Sequence, residues 1–93
     1  MTATTTVTRT ATFIRKAAGT WIGDARLYRL SEPLEGFDHV VVSAVTLLSG
    51  RPETYIFGTG DLGESGEDGE LKGSFRGGLD HARALEGAGY VTV

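Results

Sequence analysis

The chain has 93 residues and a formal net charge of −3, with 40% hydrophobic and 23% charged residues. This length suits a single domain with one core, and we expect residues 1–93 to form it. The absence of cysteine excludes a disulfide framework, a thiolate nucleophile and a cysteine-ligated metal. The mild negative charge argues against a nucleic-acid backbone as the main partner.

Two strands are predicted in the first third of the chain. Thr4–Arg15 is rich in threonine with apolar residues alternating along it, and Trp21–Leu30 follows a short break and closes at Ser31-Glu32-Pro33. Alternation in the second strand is imperfect, which indicates either that both faces are partly covered or that a bulge resets the register. The apolar residues on its two sides are Ala25 and Leu27 on one, and Tyr28 and Leu30 on the other.

The middle of the chain contains the clearest element, His39–Leu48, which is apolar almost without alternation and β-branched. Such a strand is typical of the centre of a sheet, covered on both sides. A turn at Ser49-Gly50-Arg51-Pro52 leads to a fourth predicted strand, Glu53–Phe57, so the two strands are expected to form a hairpin.

One helix is predicted late in the chain, with Ser74 as its N-cap and Gly87 as its stop. Two glycines, Gly77 and Gly78, disfavour its first turns, so an alternative start is Leu79. Glu70–Leu71 is predicted as a short strand and Tyr90–Val93 as a last edge strand. The stripe that would pack on the sheet consists of Phe75, Leu79, Ala82 and Leu85.

These elements predict an α+β fold, a single small antiparallel sheet of four to five strands with one C-terminal helix packed on it. The glycine-dense segment Gly58–Gly69 is expected to be the most mobile internal segment, because it has few apolar anchors. The residues predicted to be buried are Val41, Ala44 or Val45, Leu47, Tyr55 or Phe57, Leu79 and Leu85.

No metal or cofactor site is predicted. Asp38-His39 and Asp80-His81 carry ligand-type side chains, but their spacing is not helical, and a histidine at a strand start and another on a helix flank explain them. Asp61–Gly66 resembles the start of a calcium loop but lacks the acidic ligands required at the third and twelfth positions. No catalytic residue is predicted either, although a small enzyme that uses His81 with Asp80 or Arg76 stays an alternative.

Four residues are predicted to bind a partner. Arg76, Asp80 and Arg83 recur at i, i+4 and i+7, so on a helix they would share one face, which is either a surface charge ladder or a recognition surface. Trp21 lies near glycines on both sides and is the aromatic residue expected to be partly exposed, which favours it as a contact anchor.

Several segments resemble short proteins of unassigned function that are encoded by phages of actinobacteria and by their hosts. The resemblance rests on Asp24–Tyr28, Pro33–Gly36 and Val40–Val45, and on the segments Pro52–Phe57, Gly73–His81 and Ala88–Tyr90, which together span about three quarters of the chain beginning at Gly23. It implies a phage or prophage accessory protein in a bacterial cytoplasm and brings no catalytic residues with it. Residues 1–16 and 61–70 lie outside it.

The function predicted from these observations is a non-catalytic protein-binding module that engages a host or phage protein. The alternative is a structural protein that assembles through its edge strands, for which a homodimer is the simplest form. The first strand is expected to lie at a sheet edge, where it either pairs with its own copy or offers that edge to a partner chain. No membrane association is expected, since the longest apolar stretch, residues 40–48, is too short to span a bilayer.

Overall fold

The computed structural model describes residues 8–17, 21–60 and 69–93. Within these ranges the chain forms six strands and one helix. The predicted mobile segment and the calcium-like loop fall largely on residues 61–68 and so lie outside the described residues. The elements are β1 (Thr10–Lys16), β2 (Asp24–Leu34), β3 (Phe37–Thr46), β4 (Pro52–Thr59), β5 (Phe75–Arg76), α1 (His81–Gly87) and β6 (Val91–Thr92).

All six strands belong to one sheet with the order β5-β4-β3-β2-β1-β6. Strands β1 to β5 pair antiparallel with their neighbours, whereas β6 pairs parallel to β1. A parallel pair needs a crossover connection, and α1 supplies it by linking the β5 edge to the β6 edge. The α+β arrangement is therefore as predicted, but the sheet is mixed instead of antiparallel and has six strands instead of four or five.

Both faces of the sheet are covered near its centre, as predicted for β3. Val40 and Val41 point to opposite faces, and neither has exposed surface. The face that carries α1, here called the helix face, holds the larger apolar cluster. The opposite face, here called the aromatic face, buries Ala25, Leu27 and Val41 under Ala17 and Trp21. The helix-face cluster includes Tyr28, Leu30, Val40, Val42, Ile56, Ala84, Leu85 and Tyr90.

Strand β2 differs from its prediction at both ends. It begins at Asp24 instead of Trp21 and continues through Pro33 to Leu34. Glu35 and Gly36 have φ values of 50° and 90°, and they form the two-residue turn that joins Leu34 to its partner Phe37. The register shifts between Arg29 and Leu34. Coverage of both faces therefore explains the imperfect alternation, because Leu27 and Tyr28 lie in clusters on opposite faces within a continuous register. The irregularity begins only after Arg29 and does not explain it.

The helix begins at His81, later than its predicted start at Ser74 and two residues after the alternative start at Leu79. Asp80 is the N-cap, and its Oδ1 accepts a hydrogen bond from the backbone N–H of Arg83 at 3.0 Å. Ser74 instead accepts from Ile56 N–H at 2.8 Å, which fastens the preceding segment to β4. Gly77 has a φ of 104°, which ends any helix there. Phe75 and Arg76 form β5, the predicted strand at Glu70–Leu71 is wrong, and the end at Gly87 is confirmed.

The predicted core is partly correct. Val41, Ala44 and Leu85 are buried as expected. Leu79 is 53% exposed, because it precedes the N-cap and lies outside α1, so its place in a helix stripe is wrong. Leu47 lies after the end of β3 and is only half-buried, and Tyr55 and Phe57 are also half-buried, so these predictions are wrong as well.

Candidate partner-binding site

The three charged residues predicted to share a helix face do not do so. Arg76 is a strand residue of β5, whereas Asp80 is the N-cap of α1 and Arg83 lies in its first turn. Arg83 is exposed and its guanidinium lies 4.4 Å from the centre of the Phe75 ring. Asp80 uses its carboxylate to cap the helix. The predicted ladder is therefore wrong, because it required a continuous helix from Ser74.

Trp21 and Arg76 are brought to the same side of the sheet. Trp21 is half-buried and lies 5.4 Å from Phe57 between ring centres, and Phe57 in turn lies 5.9 Å from Tyr55. The Arg76 guanidinium is 5.7 Å from the centre of the Tyr55 ring. A continuous row of three aromatic rings, ending in a cation, therefore crosses the aromatic face.

A buried carboxylate anchors the end of this row. The Glu53 side chain is 3% exposed, accepts a hydrogen bond from the Tyr55 hydroxyl, and pairs with Arg76 Nε at 3.4 Å. Arg76 also reaches Glu70 at 3.6 Å. These contacts satisfy the buried charge, which would otherwise be costly. The Arg76 guanidinium thus pairs with the buried Glu53 carboxylate, while 59% of the Arg76 side chain stays exposed.

The helix face carries an open groove of about 590 Å³ between β1 and α1. Apolar side chains that are unusually exposed line it: Phe13 is 47% and Leu79 53% exposed. Ile14, which follows Phe13 in the chain and is the extra residue of a bulge in β1, is 40% exposed. Exposed apolar residues that cluster in this way mark interaction surfaces more often than scattered ones. The lining residues are Phe13, Lys16, Arg26, Tyr28, Leu79, Asp80, His81, Ala82, Thr92 and Val93.

The groove runs along an open backbone edge. Strand β6 pairs only with Thr10 and Ala11, where Val91 and Val93 donate to the carbonyls of Arg9 and Ala11. Because N–H and C=O groups of alternate residues point to the same side of a strand, those of Phe13 also point away from β2. In the described residues no strand pairs with this side of β1 beyond Ala11. The prediction that the first strand lies at a sheet edge is therefore confirmed for the described residues after Ala11. It is wrong for Thr10 and Ala11, where β6 forms the edge instead.

Two residues that line the groove, Arg26 and His81, belong to a polar cluster around Asp24. Arg26 donates to Asp24 Oδ2 at 2.9 Å, and this hydrogen bond holds the pKa of Asp24 below its usual value. His81 is 9% exposed, and its Nε2 lies 2.8 Å from the Asp24 carbonyl oxygen. Since a carbonyl only accepts, Nε2 carries the proton. Asp24 of β2 therefore contacts both Arg26 and His81. Its contact with His81 fixes the start of α1 to the sheet.

All three tyrosines of the chain have raised pKa values, which predicts sensitivity to alkali. Burial raises the pKa of Tyr28 and of Tyr90, and the hydrogen bond to Glu53 raises that of Tyr55. The unfolded chain loses these protons near pH 10, but the folded chain holds them longer. The contribution of the tyrosines to stability should therefore be fully present below about pH 10 and be lost as the pH rises above it. A pH titration of the folded protein, followed by tyrosinate absorbance, measures this. A midpoint at the ordinary tyrosine pKa of about 10 would contradict the raised pKa values.

The two acid–histidine dipeptides are not brought together. His39 lies on β3 and faces the aromatic face, whereas His81 begins α1 on the helix face. Among residues 8–17, 21–60 and 69–93, no three His, Asp or Glu side chains are grouped to hold a metal ion. In the same ranges no helix is long and apolar enough to cross a membrane.

Comparison with protein-family models, with curated proteins and with solved structures gives no match for this chain. The site is therefore defined by geometry alone. Sequence reasoning selected Trp21 and Arg76, which the fold brings to one face, but it missed the groove. The signal that could have indicated the groove is Phe13 next to Ile14 and two cations, at the end of a strand near an edge.

Proposed function

We propose that this protein is a non-catalytic protein-binding module that takes up an extended segment of a partner protein along the open edge of β1. The observation that carries the proposal is that the backbone groups of Phe13, which no described residue pairs on this side of β1, lie beside the exposed apolar side chains of Phe13 and Leu79. An added strand gains backbone hydrogen bonds from such an edge and specificity from pockets beside it.

Strand addition explains why this edge differs from the opposite one. The outer edge of β4 is blunted, because Leu71 donates to the Ile56 carbonyl and Gly77 donates to the Pro52 carbonyl. The segment 71–77 therefore occupies the positions that a foreign strand would need. At the other edge of the sheet, β6 pairs only with Thr10 and Ala11 of β1. The described residues of β1 after Ala11 are therefore available to a partner strand.

The partner we propose is a protein of the bacterial cytoplasm. The resemblance to short proteins of actinobacterial phages and prophages supports this context and suggests a host or phage protein. The groove favours an apolar side chain in the inserted segment, since Phe13 and Leu79 line it. Of its charged lining residues, Arg26 already pairs with Asp24 and Asp80 caps the helix, whereas Lys16 adds a positive charge at the rim.

A second candidate function is self-assembly through the same edge, in which β1 of one copy pairs with β1 of another about a two-fold axis. The open edge alone favours it. Arg15 and Lys16 oppose it, because each copy would bring its own cations to the shared edge. Self-assembly is therefore the less favoured of the two functions.

The test is capture of partners from an actinobacterial lysate with three forms of the full chain. Wild type, Phe13→Glu and Leu48→Glu are compared, followed by measurement of affinity for the captured protein. Leu48 is the matched control, because it is fully exposed on the β3–β4 turn far from the groove. We expect Leu48→Glu to bind like wild type and Phe13→Glu to lose at least about tenfold in affinity, which is about 1.4 kcal/mol.

One outcome would contradict the proposed binding surface, and another would favour self-assembly. Equal binding by all three forms would show that the groove is not the contact surface. A mass that rises with concentration in sedimentation experiments, and that returns to the monomer value in Phe13→Glu alone, would establish the self-assembly alternative.

A further inference from the structure

The aromatic face also carries a polar and basic row that the proposed function does not use. The pairing of β1, β2, β3 and β4 places Thr12 opposite Arg29, Arg29 opposite His39, and His39 opposite Thr59. The neighbouring row runs from Arg15 through Leu27 and Val41 to Phe57. Since side chains of paired residues share a face, Arg15, Arg29 and His39 lie on one surface beside the aromatic row.

The local charge of this surface is opposite to that of the whole chain. The next two cross-strand rows on this face contain Ser43 with Tyr55, and Glu53 with Arg76. Glu53 is the only carboxylate among the described strand residues of all four rows, and Arg76 and Tyr55 already bind it. Arg29 is exposed and makes no ion pair with any residue in the described ranges. In the part of the chain that the structure describes, this surface therefore carries more cationic than anionic side chains, on a protein of net charge −3.

The aromatic row gives this patch a second property. Trp21, Phe57 and Tyr55 are each half-buried, so each ring is partly accessible to solvent, and they form a line that begins beside Leu27 and ends at Arg76. Aromatic rings next to arginines are the combination that binds single-stranded nucleic acids, since the rings stack on bases and the cations contact phosphates. An acidic peptide would use the cations but would have no need for the rings.

We infer that the aromatic face is a binding site for a short stretch of single-stranded nucleic acid. The phosphates lie along Arg15 and Arg29, and the bases stack on Trp21 and Phe57. This departs from the expectation drawn from the net charge, because the charge that matters is that of one face. The site is separate from the groove, which lies on the other side of the sheet.

The test is a fluorescence titration of the full chain with labelled oligothymidylate and oligouridylate at several salt concentrations. Because Trp21 is the only tryptophan, its quenching reports stacking directly. Arg29→Gln should weaken binding about fivefold near 0.1 M salt and lower the salt dependence by about 0.7, the value for one phosphate contact. Trp21→Leu should weaken binding about fivefold or more.

Arg51→Gln is the matched control, since Arg51 is an exposed arginine in the β3–β4 turn, outside the rows. It should bind like wild type. Because Trp21 packs on Phe57 and its replacement can unfold the chain, the exposed Arg29 carries the test if Trp21→Leu does not fold. Binding of either oligonucleotide with Trp21 quenching and a specific loss in Arg29→Gln supports the inference. Absence of binding at low salt, an equal loss in Arg51→Gln, or equally tight binding of polyglutamate would each overturn it.

Discussion

Gly73→Ala is expected to destabilise the domain by about 4 kcal/mol or more, a large share of the stability of a small domain. Gly73 has a φ of 103°, and an added Cβ would overlap the Ala84 carbonyl oxygen and approach Ile56 Cδ1 to 2.8 Å and Ala88 Cβ to 2.9 Å. The overlap lies between α1 and β4, where neither backbone can move without opening the core. Chemical denaturation of the two proteins measures the difference.

Gly77→Ala is the matched control, because it separates backbone strain from the steric overlap. Gly77 has nearly the same φ, 104°, but an added Cβ would meet nothing within 4 Å. Its cost should be that of the conformation alone, about 1–2 kcal/mol. Equal losses in the two variants would show that Gly73 is needed only for its conformation and that the helix does not pack there as described.

Leu85→Ala should cost about 2–5 kcal/mol, whereas Leu79→Ala should change stability by no more than about 0.5 kcal/mol. Leu85 has no exposed surface and lies at the centre of the helix-face cluster, but Leu79 is 53% exposed. The sequence pattern treats the two as members of one stripe, so the pair tests the corrected helix start. Thermal or chemical unfolding of both variants provides the measurement.

A comparable loss in the two leucine variants would contradict the position of α1. It would indicate that Leu79 is packed in solution and that the helix continues toward Ser74. In that case Phe13 would also lose the neighbour that forms the other wall of the groove.

Local patterns were sufficient wherever the physical cause was local. The apolar run of β3 predicted a strand covered on both sides, and Val40 and Val41 confirm it. Gly87 was a sufficient signal for the end of α1. The start of the helix was not predictable in the same way, because the apolar spacing at Phe75 and Leu79 fits a helix while Gly77 permits a chain reversal that only the pairing of β5 with β4 selects.

Long-range pairing explains what the sequence could not indicate about the sites. The parallel pairing of β6 with β1 joins residues about eighty positions apart, and nothing in either segment specifies the partner. The row from Trp21 to Arg76 depends on the registers of β3 with β4 and of β4 with β5. Phe13 alternates as a core residue should, but it lies where the sheet extends beyond the helix, and it is therefore exposed.

Strand addition at β1 is measured most directly by amide hydrogen exchange at Phe13, by NMR, in the free protein and with the captured partner. If a partner strand adds to β1, the Phe13 amide exchanges rapidly in the free protein, unlike that of Val41 in the central strand β3, and slows at least about tenfold in the complex. The amides of the β3–β4 turn should not change. A Phe13 amide that is already as slow as that of Val41 in the free protein, or that does not slow in the complex, would contradict strand addition at β1.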